Sequence, residues 1–416
     1  MSHDRTEAGF KRRTRVAAAR ERLLAAVEPH DRTERVPPAE ADGRAVAGTV
    51  TAPAPVPGYD RAAMDGWAVR AEDTFGASDR SPAVLAPTDG GAAEGTEVTP
   101  GGAVRVHTGS ALPPGADAVV MVERTEAVGG ELEVFDAVTD GENVGATGED
   151  VAEGQRLYDP PHRLRPSDLG LLKSVGLTDV EVAERPRVAV VPTGEELVQS
   201  DPDPGEIIET NGLTVSRLVE RWGGDAAYRD TVTDDETALR DAIRRDLDRD
   251  VVVTTGGSSV GERDLVPDVV AEMGELFVHG VALKPGHPVA LGAVEGTPVV
   301  MLPGYPVSCI VNAVQFLRPA LKRAGRLPAD PPPTRRATLT RKVGSEPGVR
   351  TFARVEVTDG GADADDDLAE ATPTRSAGAG ALSSVALADG WVVVPESREG
   401  VDAGETVDVE LWEALV

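Results

Sequence analysis

A multidomain chain, with a central α/β unit built on a parallel sheet and small β modules on either side, is the fold class the sequence predicts. Three observations lead to it. Between about Arg185 and Arg326, short β-branched runs ("RVAVVP", "DVVVTTGG", "TPVVMLPG") alternate with helical patterns ("TVSRLVERWG", "ETALRDAIRRDL", "DLVPDVVAEM", "VSCIVNAVQFLRPALKRAG"). That order yields parallel strands joined by right-handed crossovers. On both sides of this region, short alternating runs are separated by turn clusters, the mark of small β modules. The length, 416 residues, suits roughly three domains at about 150 residues each.

Taken in order, "TRVAAARERLLAAV" has helical spacing, and the Pro- and Gly-rich stretch after it reads as a connector with one short strand. From Asp65 to about Glu142, the runs "DGWAVRAED", "GAVRVHTG", "ADAVVMVERTE" and "ELEVFDAV" predict a small β module. "RPSDLGLLKSVGL" reads as a helix leading into the α/β region. "PADPPPTRR" reads as a stiff linker, and the remainder to Val416 as a small barrel or sandwich with an acidic loop, "GGADADDD".

Asp and Glu number 71 against 42 Lys and Arg, for a net charge of −29 and a pI near 4.6. Such a surface repels phosphate backbones and argues against a nucleic-acid-binding role. It suits a salty cytoplasm, where screening shortens the reach of self-repulsion. No run approaches the ~20 apolar residues of a membrane span, and the charged N-terminal stretch does not read as a secretory signal. Cys309 is the only cysteine, so an internal disulfide is excluded and a reducing, cytoplasmic setting is expected. Cys309 itself lies in an apolar helical pattern and reads as a buried structural thiol.

In an open parallel sheet, ligands gather at the carboxyl ends of strands. Three segments occupy such ends. "VVPTGEEL" delivers Thr193, Gly194 and Glu196. "TTGGSSVGERD" delivers Gly256, Gly257, Ser258, Ser259, Gly261 and Asp264, and "LPGYPVS" delivers Pro303, Gly304, Pro306 and Ser308. Glycines allow positive φ and close approach of main-chain N–H groups to an anion, and a following helix adds its N-terminal donors. Alone, a glycine pair closing a strand serves structure as readily as binding, and no Gly-Lys-Ser/Thr of a P-loop is present. The co-occurring "LKPGHP" tips the reading: Lys284, before Pro285 and Gly286, is the only lysine between Lys173 and Lys322. A phosphate contact is the expected role.

The carboxylates Asp65, Asp150, Glu196, Asp234 and Asp264 stand in turns or near strand ends. Each alone fits a turn former or cap. With a phosphate loop they suit Mg²⁺, a hard ion that bridges carboxylates and phosphates. One cysteine and six scattered histidines offer no zinc spacing, and no G-x-S-x-G elbow is present.

Six motifs in order, "PVPGYDRAAMDGWAVRAED", "VHTGSALPPGADAVVMVE", "VVPTGEEL", "VVVTTGGSSVGERD", "VALKPGHP" and "LPGYPVS", resemble those of the molybdopterin molybdenumtransferases. These are the MoeA-type enzymes, related to the E domains of gephyrin and of the plant cofactor enzyme. The resemblance runs from about Val36 to Leu411. It implies an elongated homodimer of four-domain chains: 1–50 with 143–184 as a discontinuous linking domain carrying the N-terminal helix, 51–142 as an inserted β domain, 185–328 as the molybdopterin-binding α/β domain, and 329–416 as a C-terminal barrel.

It also implies cleavage of adenylylated molybdopterin with a divalent cation and insertion of metal from molybdate into the dithiolene. Carried over by motif, Asp65 and Asp150 are catalytic residues acting across the dimer interface near the oxyanion. Glu196, Asp234 and Asp264 are catalytic carboxylates and Mg²⁺ ligands. Lys284, Pro303, Pro306 and Arg354 belong to the ligand site. Tyr305, Gly280 and Ala379 depart from the family's usual Asn, Lys and Ser. Contacts with other cofactor-biosynthesis enzymes are a further implication. Three rivals are kept: the same reaction with tungstate, the preceding adenylylation step with ATP, and a non-catalytic scaffold module.

Overall fold

The computed structural model describes residues 13–88, 95–257, 265–359, 368–374 and 378–415. Its centre is a six-stranded sheet. The strands are β1 (Arg187–Pro192), β2 (Asp225–Tyr228), β3 (Val251–Thr255), β4 (Glu275–His279), β5 (Ala290–Val294) and β6 (Thr297–Leu302), in the spatial order β2-β1-β3-β6-β5-β4. β1, β3 and β6 are Val-rich and buried on both faces, as expected of strands covered by helices on each side. The pairings β1–β2, β1–β3 and β3–β6 are parallel.

One half of the sheet departs from the expectation of an all-parallel arrangement. β5 runs antiparallel to β6, and β4 antiparallel to β5. The reason is local: β5 and β6 are separated only by Glu295 and Gly296, and a two-residue connection forms a hairpin, never a crossover. Glu295 and Gly296 both take positive φ (51° and 88°), matching that tight turn.

The helices that cover the sheet or lead into it are α1 (Val16–Ala26), α2 (Pro166–Ser174), α3 (Asn211–Arg221), α4 (Glu236–Arg245), α5 (Val266–Met273), α6 (Pro306–Asn312) and α7 (Arg318–Ala324). α4 begins where Asp235 accepts the Ala238 N–H at 2.9 Å and ends on Arg244 and Arg245, so both ends suit the helix dipole. α6 continues through one π-type turn, Ala313–Leu317, into α7. α1 buries Val16, Ala19 and Leu23 in the core of the α/β unit beside Val278 and Leu291.

The C-terminal strands β7 (Thr334–Leu339), β8 (Arg350–Thr358), β9 (Ala369–Pro373), β10 (Gly390–Val394) and β11 (Thr406–Glu410) close on themselves. They run β8-β9-β7-β11-β10, and β10 pairs back with β8. Leu283–Lys284, from the α/β unit, adds to this ring as a short parallel strand, with Leu283 opposite Arg350 and Lys284 opposite Thr351. The two units share one hydrophobic core, in which Phe352, Trp391 and Trp412 pack with Ile310, Val314 and Leu317. Trp391 and Trp412 stack at 5.2 Å.

Upstream, Ala118–Met121, Gly66–Val69, Gly102–Val106, Ala83–Thr88, Glu131–Val134 and Thr125–Val128 form a third six-stranded sheet, the N-terminal one, in that order. It is reached through three antiparallel pairings: Thr33–Val36 with Val180–Ala183, Val50–Thr51 with Arg156–Tyr158, and Arg61–Ala62 with Val144–Gly145.

α7 carries a buried cation, Lys322, 1% exposed. Burial first, then Arg163 and Arg318, press its pKa down to about 7 against the pull of Asp330. The folded value lies below the unfolded one of about 10.4, so between these pH values unfolding takes up a proton and stability rises with pH. Lys322 interacts with a partner within the fold, and Lys322→Met removes that interaction together with the titration. Relative to wild type, the variant should gain most at or below pH 7, and the gain should fade towards pH 10. Urea midpoints at pH 6.5 and 9.5 measure it, and an equal gain at both would refute the assignment.

Candidate functional site: the strand-end cluster and the adjoining cleft

Three chain reversals meet at the carboxyl ends of β1, β3 and β6. After β1, Thr193 is buried and bridges to Val232, and Gly194 N–H donates to the Val232 carbonyl at 3.0 Å. After β3, Gly256 N–H donates to Leu302 O at 3.0 Å. Gly256 is required there: its φ is +133°, and a Cβ would stand 2.3 Å from Thr193 O. A Cβ on Gly304, after β6, would lie 3.7 Å from the Gly256 Cα, so these turns are neighbours. The hydroxyls of Thr193, Thr254 and Thr255 are buried with no hydrogen-bond partner among the described residues. Gly257 (φ +59°) ends the described part of this turn. Ser258, Ser259, Gly261 and Asp264 lie outside the described residues.

Glu196 is exposed yet folds back over the turn, for a Cβ on Gly194 would meet its Oε1 at 2.8 Å. Asp234 is half-buried and follows Val232, the residue that receives Gly194 N–H. The two carboxylates therefore come from adjacent loops. Among the described residues no group of three His, Cys, Asp or Glu side chains could hold a metal. Two carboxylates suit Mg²⁺, which keeps several waters and takes one or two carboxylates plus substrate phosphate.

The segment 303–308 continues from this cluster into a cleft of about 510 Å³ between the α/β unit and the barrel. Lys284, Pro303, Tyr305, Ser308, Lys342 and Arg354 are among its walls, with Pro285 and Gly286 beside Lys284. Pro306 starts α6 at the cleft's edge, where a missing N–H costs nothing. The Lys284 loop is held against α6 by Asn312, whose Nδ2 donates to Gly286 O at 2.9 Å and to Ser308 O at 2.8 Å.

The charge of the lining is the informative quantity. In a chain with 71 acidic residues, none of the described residues lining the cleft is Asp or Glu, while Lys284, Lys342 and Arg354 all face it. Lys284 and Lys342 meet Glu346 (3.3 Å) and Asp402 (2.7 Å) on the exposed side, pairs of little strength in water. Arg354 differs. It is 9% exposed, its Nε is buried without a partner among the described residues, and its Nη1 makes a long bond to Phe352 O at 3.4 Å. Burial alone lowers its pKa. A buried guanidinium without a carboxylate is costly, and the cleft beside it is where an anion would compensate.

The model of the MoeA N-terminal region (domain I and II) matches residues 14–176, one described as "Probable molybdopterin binding domain" matches 189–323, and the MoeA C-terminal region (domain IV) matches 336–412. A protein of Methanocaldococcus jannaschii named for molybdopterin biosynthesis is 35% identical over 404 residues, 94% of this chain and 95% of its own. The chain belongs to the MoeA family. Molybdopterin molybdenumtransferase 2 of Mycobacterium tuberculosis is 34% identical over 347 residues, 80% of this chain and 85% of its own. Two crystal structures of the MoeA protein from Pyrococcus horikoshii align with TM-scores of 0.81 and 0.80, at 34% and 30% identity, over 96% of this chain and 99% and 100% of theirs.

Within one MoeA chain the expected residues fall into separate groups. Asp65 and Asp150 are not in the cleft lining. They flank the ribbon Arg61–Ala62 with Val144–Gly145, beside the N-terminal sheet. Asp65 Oδ1 accepts from Thr108 N (2.7 Å) and Oγ1 (2.8 Å), bonds that lower its pKa. Asp150 is exposed, and its N–H donates to Val56 O at 3.0 Å. Of the departures from the family pattern, Tyr305 and Ala379 line the cleft and Gly280 does not.

Lys342, Thr374 and Glu209 escaped the sequence reading. Lys342 was findable, since it is one of five lysines and the scarcity argument used for Lys284 applies to it equally. Glu209 is buried, accepts Gly212 N–H at 2.6 Å and pairs with Tyr228 OH, which seats α3 against Pro192. Its position gave no sequence signal.

Proposed function

We propose that the chain inserts molybdenum into adenylylated molybdopterin, hydrolysing the adenylyl phosphoanhydride and passing the metal from molybdate to the dithiolene. The observation that carries this reading is a cationic cleft in a strongly acidic chain, free of carboxylates among its described lining residues and continuous with glycine turns at three strand ends. A ligand with several anionic groups matches both. Gly194 and Gly256, whose own N–H groups bond Val232 O and Leu302 O, would let the main chain come close to the phosphates, and Gly257, with Ser258, Ser259 and Gly261 following, would supply donors to them. Lys284 would join them in holding the phosphates, Arg354 would face the charge of the anhydride, and Thr193, Pro285, Gly286, Pro303, Gly304, Pro306 and Ser308 would shape the wall between.

Mg²⁺, held by Glu196, Asp234 and Asp264, would neutralise charge on the anhydride. The chain's own part is orientation and electrostatics, the usual balance in phosphoryl chemistry. Arg354, already desolvated, acts at nearly full strength on charge that builds in the transition state. One water is consumed, the P–O–P bridge opens, and AMP leaves. Asp65 and Asp150 would reach the cleft of a second copy in a homodimer, since within one chain they stand beside the other sheet.

The test is direct. Full-length protein given adenylylated molybdopterin, Mg²⁺ and molybdate is expected to release AMP, and with free molybdopterin and ATP to consume none. No AMP in the first mixture would overturn the enzyme reading.

A further inference from the structure

Tyr305 is conspicuous on physical grounds. Trp, Tyr and Phe make up only 3% of the chain, yet this tyrosine is left 66% exposed, so packing within the monomer does not account for it. Of the described exposed aromatics, Tyr59, Phe75, Tyr228 and Tyr305, it alone lines the cleft. Phe352, the other aromatic of the lining, is 1% exposed and spent on an edge contact with Trp391 at 5.4 Å.

The residue is also held. It caps α6 in extended backbone (φ −71°, ψ 124°), as a residue before proline should be, and its carbonyl accepts Cys309 N–H at 2.8 Å. Next to it, Val307 N–H donates to Ala379 O at 3.1 Å and ties α6 to the barrel segment 378–380. A Cβ built on Gly380 would stand 3.4 Å from Tyr305 Cδ1 and 3.7 Å from Cε1. The ring therefore lies beside bare backbone on one side, within ordinary contact distance of where a side chain on Gly380 would begin.

We infer that Tyr305 is a stacking platform for the flat heteroaromatic ring of the ligand, and so a specificity-determining residue at the cleft mouth. This rests on the functional reading that the ligand joins such a ring to anionic groups. A fixed aromatic lip beside Lys284, Lys342 and Arg354 supplies the two halves of that recognition: a π face for the ring and cations for the anion. Stacking needs the ring and not the hydroxyl, which separates this role from a hydrogen-bonding one.

Calorimetric titration of the full chain with AMP, with a pterin monophosphate and with inorganic pyrophosphate tests it. Tyr305→Ala is expected to weaken at least one ring-bearing probe by about tenfold, with pyrophosphate unchanged and Tyr305→Phe within about twofold of wild type. Loss for AMP alone assigns adenine to the platform, loss for the pterin alone assigns the pterin, and either supports the inference. Unchanged affinity for both ring probes overturns it. So does a parallel loss for pyrophosphate, which would make Tyr305 a positioning residue of the cleft. Wild-type protein that binds none of the three probes would sink the functional reading itself.

Discussion

Arg354→Met should produce an enzyme that is more stable and nearly inactive. The substitution keeps an apolar stem of similar reach and removes a charge that is 9% exposed and meets no carboxylate among the described residues. Relieving such a charge is expected to stabilise the fold by on the order of 1–4 kcal/mol, a rise of several degrees in Tm. Loss of a preorganised cation at developing negative charge costs about 10²–10³ in turnover. Opposite signs in the two measurements are the signature of a residue kept for binding. A variant that loses stability and activity together would show that Arg354 is structural, and thermal melts beside AMP-release rates decide between the two.

Gly286→Ala has the second large expected effect, and it acts through geometry. Gly286 sits at φ +109°, and a Cβ there would stand 2.2 Å from Asn312 Nδ2, far inside any real contact. That amide holds the Lys284 loop and the first turn of α6 together by its bonds to Gly286 O and Ser308 O. Losing both bonds within a buried site, with the backbone strain added, should cost roughly 3 kcal/mol. Anion affinity should fall with it as Lys284 leaves its place. Gly348→Ala is the control: φ is +78° but nothing lies within 4 Å of the added Cβ, so only the strain of about 1 kcal/mol remains. Equal costs at the two sites, read from urea midpoints, would remove Asn312 from the account.

The parts of the fold legible in advance were those set by local chemistry. Val runs closed by glycine marked β1, β3 and β6, because a strand buried on both faces must be apolar throughout and must end where the chain turns. Scarcity marked Lys284. The parts not legible depend on contacts between distant segments. That Leu283–Lys284 joins the barrel beside Arg350 depends on a pairing between segments far apart in the chain, and no local pattern announces it. Arg354 is one of many arginines in the sequence, singled out there only by the family resemblance. Its burial beside the cleft with an unpartnered Nε is a property that exists only once the chain is folded. The same holds for α1, whose alanine-rich face suits several surfaces and finds its own only in the shared core.

The two-residue strand Leu283–Lys284 has a mechanical consequence. One wall of the cleft is stitched to the other through it, and the tryptophan-lined interior below is common to both. Neither wall can swing like a jaw without tearing that seam. The opening is thus of set width, and on the proposed function a ligand would be selected by whether it spans that width instead of by a closing movement around it.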